Sequence, residues 1–291
     1  MTETLAALAA LPSGLQATIG AIFGLLTGSF LNVVIYRLPV RMQYEWSQQS
    51  YEWLNEKEYP EPAPPGIVFP ASHCQQCKTP IKPWHNIPVI SFLILRGRCT
   101  DCGAKIGIRY PLVELFTAIL SGLVIYQFGF TLQGVAGLII TWALITLSFI
   151  DIDHKLLPDD IVIPLMWLGL AASLLPVFAS SNDALIGAIA GYLSFWIVFQ
   201  LFKLLTGKEG MGFGDFKLMA MLGAWLGWLY LPQIILISTF LGSLVGITMM
   251  LAFKQKRDAE IPFGPYIALA GWIALLWGEQ INQGYLNFVR F

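Results

Sequence analysis

The sequence predicts an all-α polytopic membrane protein of about eight transmembrane helices, with one small polar domain between the first and second. Three observations carry this. Of 291 residues, 56% are hydrophobic and only 12% are charged, where a soluble domain is roughly one quarter charged. Apolar runs recur at close to the ~20 residues that a helix needs to cross a bilayer. Laid out as spans, these runs place nearly all basic residues on one side.

The candidate spans lie near 17–36, 112–130, 132–150, 161–178, 184–205, 216–231, 232–253 and 264–281. The opening "MTETLAALAALPSG" lacks a basic n-region, and the apolar run after it is long enough to stay as a span. A cleavable signal peptide is therefore not expected. Asn32, in "GSFLNVVIYRLP", sits inside this first span and is expected to hydrogen-bond to a neighbouring helix.

With eight spans, the loops on one side hold Arg37, Arg41, Lys57, Lys78, Lys82, Arg96, Arg98, Lys105, Arg109, Lys155, Lys203, Lys208, Lys217, Lys254, Lys256 and Arg257. The other side keeps only Arg290. This asymmetry assigns the basic side to the cytoplasm and both termini to the opposite face. The net charge of −1 gives no sign of a nucleic-acid partner.

The polar segment after the first span, residues 37–110, begins with "RMQYEWSQQSYEWLNEKEY". Its Trp, Tyr and charges suit either a helix at the lipid interface or a solvated linker. "PEPAPPG" then reads as a stiff connector. Beyond it, "HCQQC" and "RCTDC" place Cys74, Cys77, Cys99 and Cys102 as two C-x-x-C pairs with 21 residues between them. Each pair forms a tight knuckle with both sulfurs on one side, and four thiolates suit a closed, structural, tetrahedral zinc site. The rival reading is two disulfides, which the reducing cytoplasm disfavours. His73 and His85 are expected to be bystanders. A segment of this length buries little core, so the metal is expected to hold it folded.

Acids cluster where the later spans meet the cytoplasmic face. "FIDIDHKLLPDD" carries Asp151, Asp153, His154, Asp159 and Asp160, and "EGMGFGDFKLM" carries Asp215. Charges in spans are costly and usually functional. Two carboxylates that meet can share one proton, the arrangement that activates water for peptide hydrolysis. Helical residues are ~100° apart, so only one of Asp151 and Asp153 can face Asp215. Either Asp159 or Asp160 is expected to cap the fourth helix, and Asp215 could cap the sixth. Capping does not account for glycines at 210, 212 and 214, which suggest a bent or open backbone. Glu114 is expected to serve its helix dipole and Arg109 rather than chemistry.

These residues resemble the type IV prepilin peptidases. The likeness rests on "GSFLNVVIYRLP", the paired cysteine knuckles, "NIPVISFLILRGRC", "IRYPLVEL", "FIDIDHKLLPD" and "GMGFGDFKLM", in order along nearly the whole chain. The resemblance implies a bifunctional membrane enzyme of the G-x-G-D aspartic protease kind. It implies removal of the leader of type IV prepilins and pseudopilins after a glycine, at the cytoplasmic face of the bacterial inner membrane, for pili and type II secretion. It also implies N-methylation of the new N-terminal residue with S-adenosylmethionine. Mapped on these motifs, the catalytic aspartates fall on Asp151 and Asp215, with Gly212 and Gly214 letting backbone and substrate approach, and the zinc ligands fall on the four cysteines. Residues 111–291 become the membrane-embedded peptidase domain, after a first span in 1–36 and the zinc domain in 37–110.

The sequence itself carries no methyl-donor signature, since no glycine-rich strand-turn-helix is present; the cytoplasmic domain, including Gly97 and Arg98, is the expected place. Two rival functions share the same acids and spans. A proton-coupled transporter would use the acids as a relay, although it leaves the cysteines without a role and wants acids at the midplane. An assembly scaffold would need neither feature.

Overall fold

A computed structural model describes residues 8–253 and 261–289. Lys254, Lys256, Arg257, Arg290 and the first seven residues, all used above for orientation or processing, lie outside the described residues. The described chain is all-helical, and its only β pairings are two isolated bridges. It divides into two compact units, residues 1–131 and 132–291.

The first unit is built on two long helices, α1 (Ser13–Asn55) and α3 (Arg109–Phe128). Between them lie a 3-10 turn (Pro83–Asn86) and the short helix α2 (Ile90–Ile94). In α1, Gly20, Gly24 and Gly28 form one stripe, four residues apart. A Cβ on Gly20 would lie 2.7 Å from Ile125, and one on Gly28 would lie 2.8 Å from the Glu114 Cα. Small residues let the two backbones meet without side chains between them, the packing that serves where water supplies no hydrophobic drive. The contacts run antiparallel. Asn32 ties the other end of the pair by donating Nδ2 to the Tyr110 carbonyl at 3.1 Å, the interhelical bond expected for it. The segment 41–55 is helical and continues α1 without a break, rather than forming a separate helix.

The second unit contains α4 (Leu132–His154), α5 (Asp159–Ala172), α6 (Ser181–Thr206), α7 (Phe213–Leu226), α8 (Leu231–Phe253) and α9 (Gly264–Val289). Its centre is α7, in which every residue from Leu218 to Leu226 is buried. A helix apolar all round belongs inside a bundle, and α5, α6 and α9 pack around it. Against α6 the approach is close enough that Gly187 and Gly223 exclude any side chain, each facing the other's carbonyl. Helix α6 starts at Ser180, whose Oγ accepts the Asp183 amide at 3.3 Å, and it stops at Gly207.

Among the described residues, five helical segments are long and apolar enough to cross a membrane: Ser13–Asn55, Arg109–Phe128, Leu132–His154, Ser181–Thr206 and Trp228–Ala252. The expected eight are not reached on that measure. Helices α5 and α7 have 14 residues each, ~21 Å at 1.5 Å per residue, which is short of a ~30 Å hydrocarbon core. Helix α9 is long but turns polar after Trp277, with Glu279, Gln280, Asn282 and Gln283.

Candidate active site and metal centre

The four cysteines converge. Their sulfurs all lie within 4.8 Å of one another, with Cys74–Cys102 at 3.8 Å and Cys77–Cys99 at 3.9 Å. Zinc–sulfur bonds of ~2.3 Å at tetrahedral angles require sulfurs ~3.8 Å apart, so the donor set fits that ion. All four are free thiols, and the disulfide reading is not what the structure holds.

Two similar knuckles aim the sulfurs. In one, the Cys74 amide donates to the Thr79 carbonyl and the Lys78 amide to the Cys74 carbonyl. In the other, Cys99 pairs with Ala104 and Gly103 with Cys99 in the same way. The residue after each second cysteine has positive φ, +60° at Lys78 and +71° at Gly103. Hydrogen bonds from Thr79, side chain first, hold the Cys77 thiol down to about 6. Cys102 is pushed up to about 12; the Ala104 amide pulls it down, but desolvation and the other three sulfurs outweigh that. Four thiolates this close need a cation, and no histidine belongs to the cluster among the described residues.

In the second unit, Asp151 and Asp215 are both buried, at 5% and 7% exposure. Asp151 sits in the last turn of α4, and its Oδ2 accepts the backbone amide of Gly264 at 2.9 Å. Gly264 opens α9, so the carboxylate stands at a helix N-terminus, where free amides favour an anion. Asp215 occupies the first turn of α7, beside the N-cap residue Gly212, and it lies within electrostatic range of Asp151. Leu157 links the two helix starts: a Cβ on Gly214 would lie 2.8 Å from it, and a Cβ on Gly264 would lie 3.1 Å from it.

The other acids are placed differently. Asp153 and His154 are exposed, on the far side of α4 from Asp151. Neither Asp159 nor Asp160 caps α5, whose N-cap is Pro158 with no side-chain cap. Asp159 instead takes both oxygens to Lys217 Nζ, at 2.7 and 2.9 Å. Asp215 is not an N-cap either, being three residues inside Gly212. Gly214 is a packing glycine against Leu157, whereas the space beside Gly212 holds only the Asp215 carboxylate, 3.8 Å from a built Cβ. Glu114 is buried and accepts the Val89 amide at 2.8 Å.

Two participants escaped the sequence reading. Gly264 carries the Asp151 contact, and Leu157 fills the gap between the helix starts. The "PFGPY" turn was the one visible signal for Gly264, a Gly-Pro pair opening a helix.

Residues 22–128 match the model of the bacterial peptidase A24 N-terminal domain, and residues 138–247 match that of the type IV leader peptidase family. A protein of Pseudomonas aeruginosa named prepilin leader peptidase/N-methyltransferase is 55% identical over 270 residues, 93% of this chain and 93% of that protein. The chain belongs to the type IV leader peptidase family. Members with the same name from Stutzerimonas stutzeri and Legionella pneumophila are 54% and 44% identical, each over 92% of this chain and 93% of their own length. No solved structure matches. The family's two models divide the chemistry-bearing residues cleanly. All four cysteines fall in the N-terminal match, and both buried aspartates fall in the peptidase match. Nothing in these relatives supports the transporter reading.

Proposed function

We propose that this chain removes the leader of type IV prepilins and pseudopilins and then N-methylates the new N-terminus with S-adenosylmethionine. The observation that carries the peptidase half is the burial of Asp151 and Asp215 at two helix starts bridged by Leu157. Held there, the carboxylates share a proton. The ionised one takes a proton from a water that attacks the scissile carbonyl, and the protonated one supports the oxyanion. Asp151 and Asp215 are the catalytic pair in this account. Asp159, neutralised by Lys217, supports the mouth of α7.

The four cysteines hold structural zinc, which keeps the polar segment folded. The second activity takes its methyl group from S-adenosylmethionine. We read α5, α7 and α9 as further membrane elements, giving about eight, and the basic loops as cytoplasmic. The site then opens at the cytoplasmic face of the bacterial inner membrane, where a prepilin's apolar helix presents its cleavage point. The test is incubation of the purified protein with a synthetic prepilin: shortening of the peptide is the expected result, and an intact peptide overturns the reading.

A further inference from the structure

The first unit holds a half-open cavity of about 600 Å³ between α1, the cysteine knuckles and the start of α3. That size suits a ligand of cofactor dimensions, for which ~300–1,000 Å³ is usual. Its inner end is acidic and polar. Glu114 is 8% exposed and accepts hydrogen bonds from the Val89 amide and the Ser29 side chain, with no cation among its recorded partners. Asn32 is equally buried; its Nδ2 is spent on the Gly28 and Tyr110 carbonyls, leaving Oδ1 as an acceptor. Tyr36 and Tyr110 are among the residues that line the cavity, as are Lys78 and Lys105. A buried carboxylate in a cavity is costly unless a cation meets it.

We infer that this cavity is the methyl-donor site. It takes S-adenosylmethionine with the sulfonium at Glu114, the adenine against Tyr36 and Tyr110, and the donor's carboxylate toward Lys78 and Lys105. Each part of the donor meets a matching part of the wall: cation with carboxylate, π-face with ring, anion with ammonium. In the transfer, the amine nitrogen's lone pair forms a bond to the methyl carbon. The carbon–sulfur bond breaks with its electrons going to sulfur, leaving S-adenosylhomocysteine, and the amine proton leaves to solvent. The zinc knuckles thus act as one wall of a binding site, and Asn32 and Glu114 gain roles beyond helix pairing.

This inference rests on the proposed methyltransferase activity, and its test separates the two. Full-length protein in detergent is equilibrated with tritiated S-adenosylmethionine, without peptide, and bound label is counted. Glu114→Gln keeps an acceptor for the Val89 amide but loses the charge. Val33→Phe, on the cavity wall, fills space and removes no polar group. Both are expected to weaken donor binding at least ~10-fold while prepilin cleavage and zinc content stay at the wild-type level. If both variants bind donor as the wild type does, the cavity is not the donor site, even though the wild type methylates. If the wild-type protein neither binds donor nor methylates cut peptide, the methyltransferase reading falls and takes this site with it.

Discussion

Asp151 accepts the backbone amide of Gly264 at 2.9 Å, across 113 residues of sequence. The contact depends on the absence of a side chain, because a Cβ on Gly264 would lie 2.7 Å from the same Oδ2. Gly264→Ala should therefore displace the carboxylate without emptying the bundle. Misplacing a reacting group by ~1 Å can cost ~10²-fold, and prepilin cleavage is expected to fall by about that factor. Full activity in a normally abundant Gly264→Ala protein would show that the acid is not held by this contact.

Zinc removal acts on the other unit. Replacing any one of Cys74, Cys77, Cys99 or Cys102 by Ser should lower the metal content below one zinc per chain. It should also open residues 72–103 to protease. Helical spans satisfy their own backbone bonds, so membrane insertion should survive. Bound zinc displaces thiol protons, and retention should weaken as the pH is lowered. Elemental analysis of the purified protein decides it, with full zinc content in a cysteine variant as the contrary result.

Helix α7 is held against α6 at a backbone-to-backbone contact, with Gly187 and Gly223 each facing the other's carbonyl. Adding a methyl group at either position forces the helices apart. Gly187→Ala and Gly223→Ala should each destabilise the second unit by about 1–3 kcal/mol. Thermal unfolding in detergent reads this directly, and a wild-type midpoint in both would contradict the packing described.

Much of this was legible in the sequence, for physical reasons that differ from site to site. The C-x-x-C spacing fixes its own local geometry, so the four sulfurs could be placed together before any fold was known. Asn32 was readable because a polar amide inside an apolar helix has to find a partner. Span number was less legible, since hydropathy alone does not separate a buried 14-residue helix such as α7 from one that faces lipid. Helix capping at Asp159 was misread because Lys217 lies 58 residues away, outside any local pattern. The Asp151–Gly264 contact is longer in range still, and its glycine does its work by omission.

The two activities should separate. Peptide hydrolysis uses the acids of the second unit, while donor binding is assigned to the first. A protein carrying Asp151→Asn should fail to cut prepilin yet methylate a peptide supplied already cut. Mass spectrometry of the peptide gives the answer, and loss of methylation in a folded Asp151→Asn protein would mean that one site serves both reactions.

The central claim is that Asp151 and Asp215 work as a pair. Asn is nearly isosteric with Asp but cannot act as the base, so leader removal from a prepilin should be measured in Asp151→Asn and Asp215→Asn, with membrane abundance checked in each. Both are expected to lose cleavage by at least ~10³-fold, while Asp153→Asn, Asp159→Asn and Asp160→Asn keep substantial activity. Full cleavage by a folded Asp215→Asn protein would contradict the peptidase account, and full cleavage by Asp151→Asn with loss in Asp153→Asn would put the partner acid on the exposed face of α4.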